Sequence, residues 1–363
     1  MSDSTIESVS GRDRRASVVG LGLIGGSLCA ALRQRGWRVA GDDTDPVRVS
    51  TALERGLIDS AGIDPGSEVT FVAVPVSVVA DQVRRALDSG GGYVTDVGSV
   101  KGAIASEILD PRFIGGHPMA GSELEGLDGA DPDLFTGAVW VLTPTSITSD
   151  GAFSTVASVV SDLGAEVIGL DPHRHDDLVA VVSHVPHLTA ATLMGLAGTR
   201  ATEHAALLRL AAGGFRDMTR IASGHPAIWL DICDENRTAI VGALDGLIGG
   251  LEGMRDIVAG GDRAALLARL SAAREARANL PARVKVPAEL SEFRIPIPDR
   301  PGAAAEVFTL AAELGVNIFN FEVVHSAEGD RGVAVVLVET TGVDLFRGGL
   351  LARGYRPAVQ RLD

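Results

Sequence analysis

The residue best suited to moving a proton is His117, in the stretch "GGHPMAGSE" from Gly115 to Glu123. A neutral imidazole accepts a hydroxyl proton well near pH 7, and a positioned one contributes about 10²–10⁴ in rate. Constrained residues precede it and small ones follow, a pattern that holds a ring firmly beside open space. A second stretch, "VTDVGSVKG", offers the Ser99 hydroxyl and the Lys101 ammonium. Both stretches leave an apolar strand pattern, so Ser99 and His117 are expected to meet at one substrate hydroxyl. The plainer alternative is a histidine hydrogen-bonded to its own loop. Lys101 is notable because Lys285 is the only other lysine in the chain.

A third stretch, "GLGLIG", places Gly20, Gly22 and Gly25 in the G-x-G-x-x-G spacing. Such a motif between a strand and a helix binds a dinucleotide pyrophosphate at the helix N-terminus. The strand is expected to begin at Ser17, and Leu23 and Ile24 open the helix. The next strand ends in "GDDTD", where Asp43, or else Asp42, would hold a ribose 2′-hydroxyl. No arginine sits beside it in the sequence at that strand end, which favours NAD over NADP. Val74 and Pro75, where "VTFVAVP" stops, and Ser99 complete the expected cofactor-binding set.

The elements that must position these groups fall into three regions. Residues 1–13 are polar and expected to be disordered. Residues 14–171 alternate strand and helix patterns, which predicts a Rossmann-type doubly wound parallel sheet. Residues 172–285 turn helical, with "HRHDDLVAVVSHVPHLTAATLMGL" read as one long helix with Pro186 as a possible kink. His173 and His175 start that helix and, like His204, read as solvated; His225 reads as a loop or helix-cap residue. These helices are apolar on several faces, so this all-helical region is expected to pack against a second copy as a homodimer. Residues 288–363 read as βαββαβ, a ferredoxin-like module.

Bulk properties exclude several function classes. The net charge of −15 over 363 residues, with no basic stripe, argues against nucleic acid. No apolar run reads as long enough to span a bilayer and no signal peptide is evident, so a cytoplasmic protein is expected. Cys29 and Cys233 read as reduced, buried residues, and no cluster has metal-ligand spacing.

In order along the chain, "DVGSVKG", "GGHPMAGSE", "HDDLVAVVSHVPH", "GGFRDMTRIA" and "AIWLDI" resemble the prephenate/arogenate dehydrogenases of tyrosine biosynthesis. The resemblance runs from about residue 16 to 285. It implies that His117 is the catalytic acceptor at a ring hydroxyl, with Ser99 as its partner. Arg220 would be a buried anchor for a substrate carboxylate, oriented by Asp217 on the same helical face. His187, Ser122 and Glu123 would line the pocket, framed by Arg216 and Trp229; His184 is given a structural part. Many relatives have threonine where Ser122 stands. The C-terminal module resembles an ACT regulatory domain, with Gly302 and Asn317 matching its ligand-binding elements and L-tyrosine as the implied effector. The substrate would be prephenate or arogenate, and NAD the cofactor. A β-hydroxyacid dehydrogenase would need a lysine in the helical region, which has none between Pro172 and Ala282. A non-catalytic NAD and amino-acid sensor would not need Ser99, His117 and Arg220 together.

Overall fold

The chain divides into two compact units, Met1–Arg274 and Glu275–Asp363. The computed structural model describes residues 14–280 apart from 123, 202–206 and 225, and residues 290–362 apart from 299, 301, 326–330, 340 and 341. Glu123, His204, His225, Lys285 and the segment 1–13 therefore lie outside the described residues.

In the first unit the apolar runs become strands buried on both faces, as a helix-covered sheet requires. The order is β1 (Arg15–Val19), α1 (Leu23–Gln34), β2 (Arg38–Asp42), α2 (Pro46–Glu54), β3 (Ser60–Ala61) and β4 (Val69–Val72). Then come α3 (Val76–Ser89), β5 (Tyr93–Asp96), α4 (Gly102–Glu107), β6 (Phe113–Pro118), β7 (Val139–Thr143), α5 (Asp150–Asp162) and β8 (Glu166–Gly169). β1 begins at Arg15 rather than at Ser17. The strands form one sheet in the order β3-β2-β1-β4-β5-β6-β7-β8. Strand order reverses beside β1, and the crevice this opens at the carboxyl ends is where ligands bind in such sheets. The sheet is not wholly parallel: β7 runs antiparallel to β6, and β8 runs parallel to β7. A parallel neighbour needs a long crossover, usually helical, whereas β6 and β7 are joined by loop and one short 3₁₀ turn, Gly126–Gly129.

The helical region opens with α6 (Pro172–Val179), capped by Asp171, whose side chain accepts the backbone N–H groups of His173 and Arg174. A π-turn, Ala180–His184, leads directly into α7 (Val185–Ala201). The long helix is thus present, with a wide turn just ahead of Pro186. Proline lacks an N–H and crowds the carbonyl four residues back, and the wide turn accommodates both effects. By length and composition Pro172–Arg200 could cross a membrane, contrary to the expectation that no such run exists. It nevertheless buries His175, Asp176 and His184 inside this unit. There follow α8 (Gly213–Thr219), α9 (Pro226–Glu235), α10 (Arg237–Gly260) and α11 (Arg263–Ala278). Their outer faces expose Ile228, Leu230, Val241, Leu251, Val258 and Leu267. Cys29 is buried and Cys233 only half-buried; both are free thiols.

The second unit runs β9 (Leu290–Pro298), α12 (Ala303–Glu313), β10 (Ile318–His325), β11 (Arg331–Glu339), α13 (Val343–Ala352), β12 (Ala358–Leu362), the expected βαββαβ. Its antiparallel sheet has the order β10-β11-β9-β12. Phe293, Ile295 and Ile297 alternate inward along β9 onto α12 and α13. β12 pairs only with Leu290–Arg294, so Pro296 and Pro298 leave no ladder bond unmade on that side.

Candidate active site

The glycine loop after β1 is shaped by its own backbone. Gly20 has φ +94°, and a Cβ there would lie 2.3 Å from the Ala73 carbonyl oxygen. A Cβ at Gly25 would lie 1.8 Å from the Gly20 oxygen, so helix and strand could not approach as they do. Gly22, the residue before α1, faces nothing within 4 Å. One glycine makes the turn, one allows close packing, and the third leaves an open approach to the N–H groups of α1, a fit for a dinucleotide pyrophosphate. Asp43 ties the loop down: Leu21 N donates to its Oδ2 at 2.7 Å and Asp45 N to its Oδ1 at 2.8 Å. The expectation that no arginine sits beside it is not met. Arg48 Nη1 lies 3.6 Å from Asp43, and Arg85 pairs with Asp42 at 2.5 Å. Both arginines come from helices, Arg48 from α2 and Arg85 from α3, so the residues of the strand end alone do not reveal them. Val74 and Pro75 follow β4, and Pro75 is the residue before α3.

His117 is held by the sheet rather than by a loop. β6 continues through Pro118, and His117 pairs with Val141 of β7. The preceding glycines are there because space is lacking. A Cβ at Gly115 would lie 2.4 Å from Thr143 Oγ1, and one at Gly116 would lie 2.6 Å from the Asp96 carbonyl. Asp96, at the end of β5, joins the two strand ends. Gly98 N donates to its Oδ2 at 2.8 Å and Gly116 N to its Oδ1 at 3.2 Å. Lys101 Nζ completes a fully buried ion pair with Asp96, which gives that lysine a definite place.

Behind His117 lies a chain of buried groups. His117 Nδ1 is 2.9 Å from His175 Nε2, and His175 Nδ1 is 2.8 Å from Asp176 Oδ1. His175, expected to be solvated, is fully buried, while His173 is exposed as expected. Asp176 also accepts Lys101 N at 2.8 Å and Gly102 N at 2.7 Å, at the start of α4. Both its oxygens act as acceptors, so His175 donates from Nδ1, and in the neutral ring Nε2 is then the acceptor. His117 then carries its proton on Nδ1 and keeps the Nε2 lone pair for a substrate. Burial, followed by repulsion from His175, Lys101 and His184 in their protonated forms, holds the His117 imidazole well below its ordinary 6.5.

The remaining predicted residues fall around this chain unevenly. Ser99 is half-buried on the segment between β5 and α4. His187 stacks on Trp229, with ring centroids 3.6 Å apart and planes at 16°; burial lowers its pKa. Ser122 is exposed, its Oγ accepting Leu124 N at 3.0 Å. Arg220 is not the buried anchor expected. It is exposed at the start of the 3₁₀ turn Arg220–Ser223, and Arg216 and Asp217 on α8 are exposed too. α8 opens with two glycines and has no buried residue, so these side chains sit on an outer turn of the chain. In the second unit Gly302, at φ +89°, lines a cavity of about 220 Å³ with Arg300, Ala303, Val323 and Gly332. Asn317 is exposed before β10 and is not part of that lining.

Comparison with known proteins places this geometry. A family described as the nucleotide-binding domain of prephenate dehydrogenase matches residues 28–169, and one described as its dimerization domain matches residues 171–272. The prephenate dehydrogenase of Bacillus subtilis is 33% identical, with 87% of this chain and 90% of that protein covered. A crystal structure of prephenate dehydrogenase from A. aeolicus, in complex with hydroxyphenyl propionate and NAD+, is 30% identical with a TM-score of 0.70, covering 75% of this chain and 100% of that one. Synechocystis arogenate dehydrogenase is 31% identical with a TM-score of 0.65, covering 74% of this chain and 100% of that one.

Proposed function

The chain belongs to the prephenate dehydrogenase family, and on that premise we propose that it oxidatively decarboxylates prephenate to 4-hydroxyphenylpyruvate in tyrosine biosynthesis. The observation that carries the reading is the buried chain His117–His175–Asp176, which starts at the end of β6 in the same sheet whose β1 leads into the glycine loop. Bound at the Gly20–Gly25 loop, NAD supplies the hydride acceptor. His117 Nε2 polarises the ring C4 hydroxyl as hydride leaves C4. The electron pair of the bond to the ring carboxylate then closes the aromatic ring as CO₂ departs. The hydroxyl proton stays on the phenol oxygen, so His117 shares it without keeping it. His175 and Asp176 fix the tautomer that makes this possible, and Ser99 is the second partner at the hydroxyl. Arg220 is the side-chain carboxylate anchor, with Asp217, Arg216, His187, Trp229, Ser122 and Glu123 as the pocket. A planar guanidinium suits a carboxylate better than an ammonium does, which fits a helical region with no lysine between Pro172 and Ala282.

The measurement is NADH formation by purified protein given NAD and either prephenate or arogenate. Turnover is expected on both, with the higher kcat/KM for prephenate. The opposite ratio would make arogenate the substrate, a reading favoured by the Synechocystis arogenate dehydrogenase likeness. NAD binding without turnover on either would leave only a sensor.

Two further parts of the proposal rest on surfaces. The exposed apolar faces of α9, α10 and α11 need covering, which supports a homodimer through the helical region. The ferredoxin-like unit and its cavity at Gly302 support an ACT-like regulatory module that takes L-tyrosine. Tyrosine inhibition of the full chain is expected to be sigmoidal and to vanish when residues 288–363 are deleted. Inhibition unaffected by the deletion would move the effector to the active site.

A further inference from the structure

His184 ends the π-turn and is 1% exposed. The hydrogen bonding on one side of its ring is fixed. The Asn236 amide nitrogen donates to the Asp176 carbonyl at 2.9 Å and lies 3.2 Å from His184 Nδ1. A carbonyl can only accept, so the amide cannot be turned round, and its other N–H is left for Nδ1. Nδ1 is therefore an acceptor, and the neutral ring carries its proton on Nε2. Burial pushes the imidazole down to about 4, so it is neutral at pH 7. That Nε2 has no partner among the described residues. Buried N–H groups are nearly always satisfied, and an orphan destabilises the fold. Its surroundings belong to the active site. The ring stands edge-on to Trp229 at 6.1 Å, the indole on which His187 stacks. Asn236 links it to Asp176, which anchors the relay behind His117.

We propose that His184 is a substrate-binding residue, its Nε2–H donating to a carboxylate oxygen of the bound substrate. This gives His184 more than a structural part, and it rests on the functional reading above. The substrate brings two carboxylates, both acceptor-only, to a site where the buried His184 N–H stands without a partner among the described residues. A donor with so low a proton affinity binds an anion without competing with His117 for the hydroxyl proton.

Wild-type turnover of prephenate or arogenate is measured first; its absence sinks the functional reading, not this assignment. Given turnover, His184→Leu is expected to raise KM for the preferred substrate about 10–100-fold, as loss of a hydrogen bond to a charged group does. kcat should change less than KM, and NAD affinity should not change. His184→Gln, which keeps an N–H donor, should restore most of the loss. An unchanged KM in His184→Leu overturns the proposal and leaves the N–H as an edge contact to Trp229. The dissociation constant of 4-hydroxyphenylpyruvate, which lacks the ring carboxylate, separates the two sources. A parallel weakening assigns the side-chain carboxylate, and weakening of prephenate alone assigns the ring carboxylate. Should the leucine variant not fold, wild-type protein labelled with ¹⁵N-histidine answers the same question. The His184 Nε2–H resonance should move when prephenate is added with NADH, which cannot accept hydride; an unmoved resonance overturns the proposal.

Discussion

His117→Asn is expected to lower kcat/KM by about 10²–10⁴-fold while leaving NAD affinity unchanged. Asparagine can occupy the pairing position opposite Val141 and can donate towards His175, so the strand end keeps its shape. What it lacks is a lone-pair nitrogen aimed at the substrate hydroxyl. The same residue sets the acid side of the pH profile. Only the unprotonated ring can accept a hydrogen bond at Nε2. Because burial holds the ring well below 6.5, the competent form persists as pH falls through 6.5 and is lost only below it. The acid limb of kcat/KM attributable to His117 should therefore lie below 6.5. A limb at or above 6.5 that vanishes in His117→Asn would mean that the ring protonates freely and is not enclosed as described.

Asp176→Asn is expected to be the most damaging isosteric change in the helical region. The carboxylate accepts from His175 Nδ1, Lys101 N and Gly102 N, all in buried surroundings. An amide has only one accepting oxygen, so whichever way it turns a buried N–H meets an NH₂ group. Unfolding free energy should fall by about 2–4 kcal/mol, the range for losing charge-assisted bonds and orphaning a donor. kcat should fall on the order of 10²-fold, because His175 no longer has a fixed donor direction and the His117 tautomer is no longer set. Denaturant unfolding and steady-state kinetics read the two effects separately. Wild-type kcat in a destabilised Asp176→Asn would show that the relay supports the fold alone.

The sequence made some of this legible and hid the rest for identifiable reasons. The glycine loop was readable because each glycine answers a different steric demand, and those demands are met at Gly20, Gly22 and Gly25. His117 was readable as a residue but not as a strand residue, since "GG" reads as a loop signal; here both glycines are extended and crowded by Asp96 and Thr143. His175 was missed because a histidine in a charged first helical turn reads as solvated. The signal was present in the spacing: Pro172, His175, Asp176, Val179 and Ala180 are the buried residues, one stripe at helical period. The reversal of β7 was hidden because residue alternation carries no strand direction; the missing crossover helix before it was the clue. The exposure of Arg220 was hidden because its burial was inferred from its chemistry rather than from its neighbours.

The wide turn at Ala180–His184 sets a rotational phase for the whole helix. A π-turn accommodates one residue more than an α-turn and so offsets everything beyond it by about 100° around the axis. His175 lies on the near side of that offset, and His184 and His187 lie at its end and beyond. The three imidazoles therefore share a site only while the extra residue is kept. A substitution in this segment acts locally, whereas deleting one residue would swing Trp229's stacking partner out of alignment with the relay. For an evolving sequence, length between Ala180 and His184 is then a stricter constraint than composition.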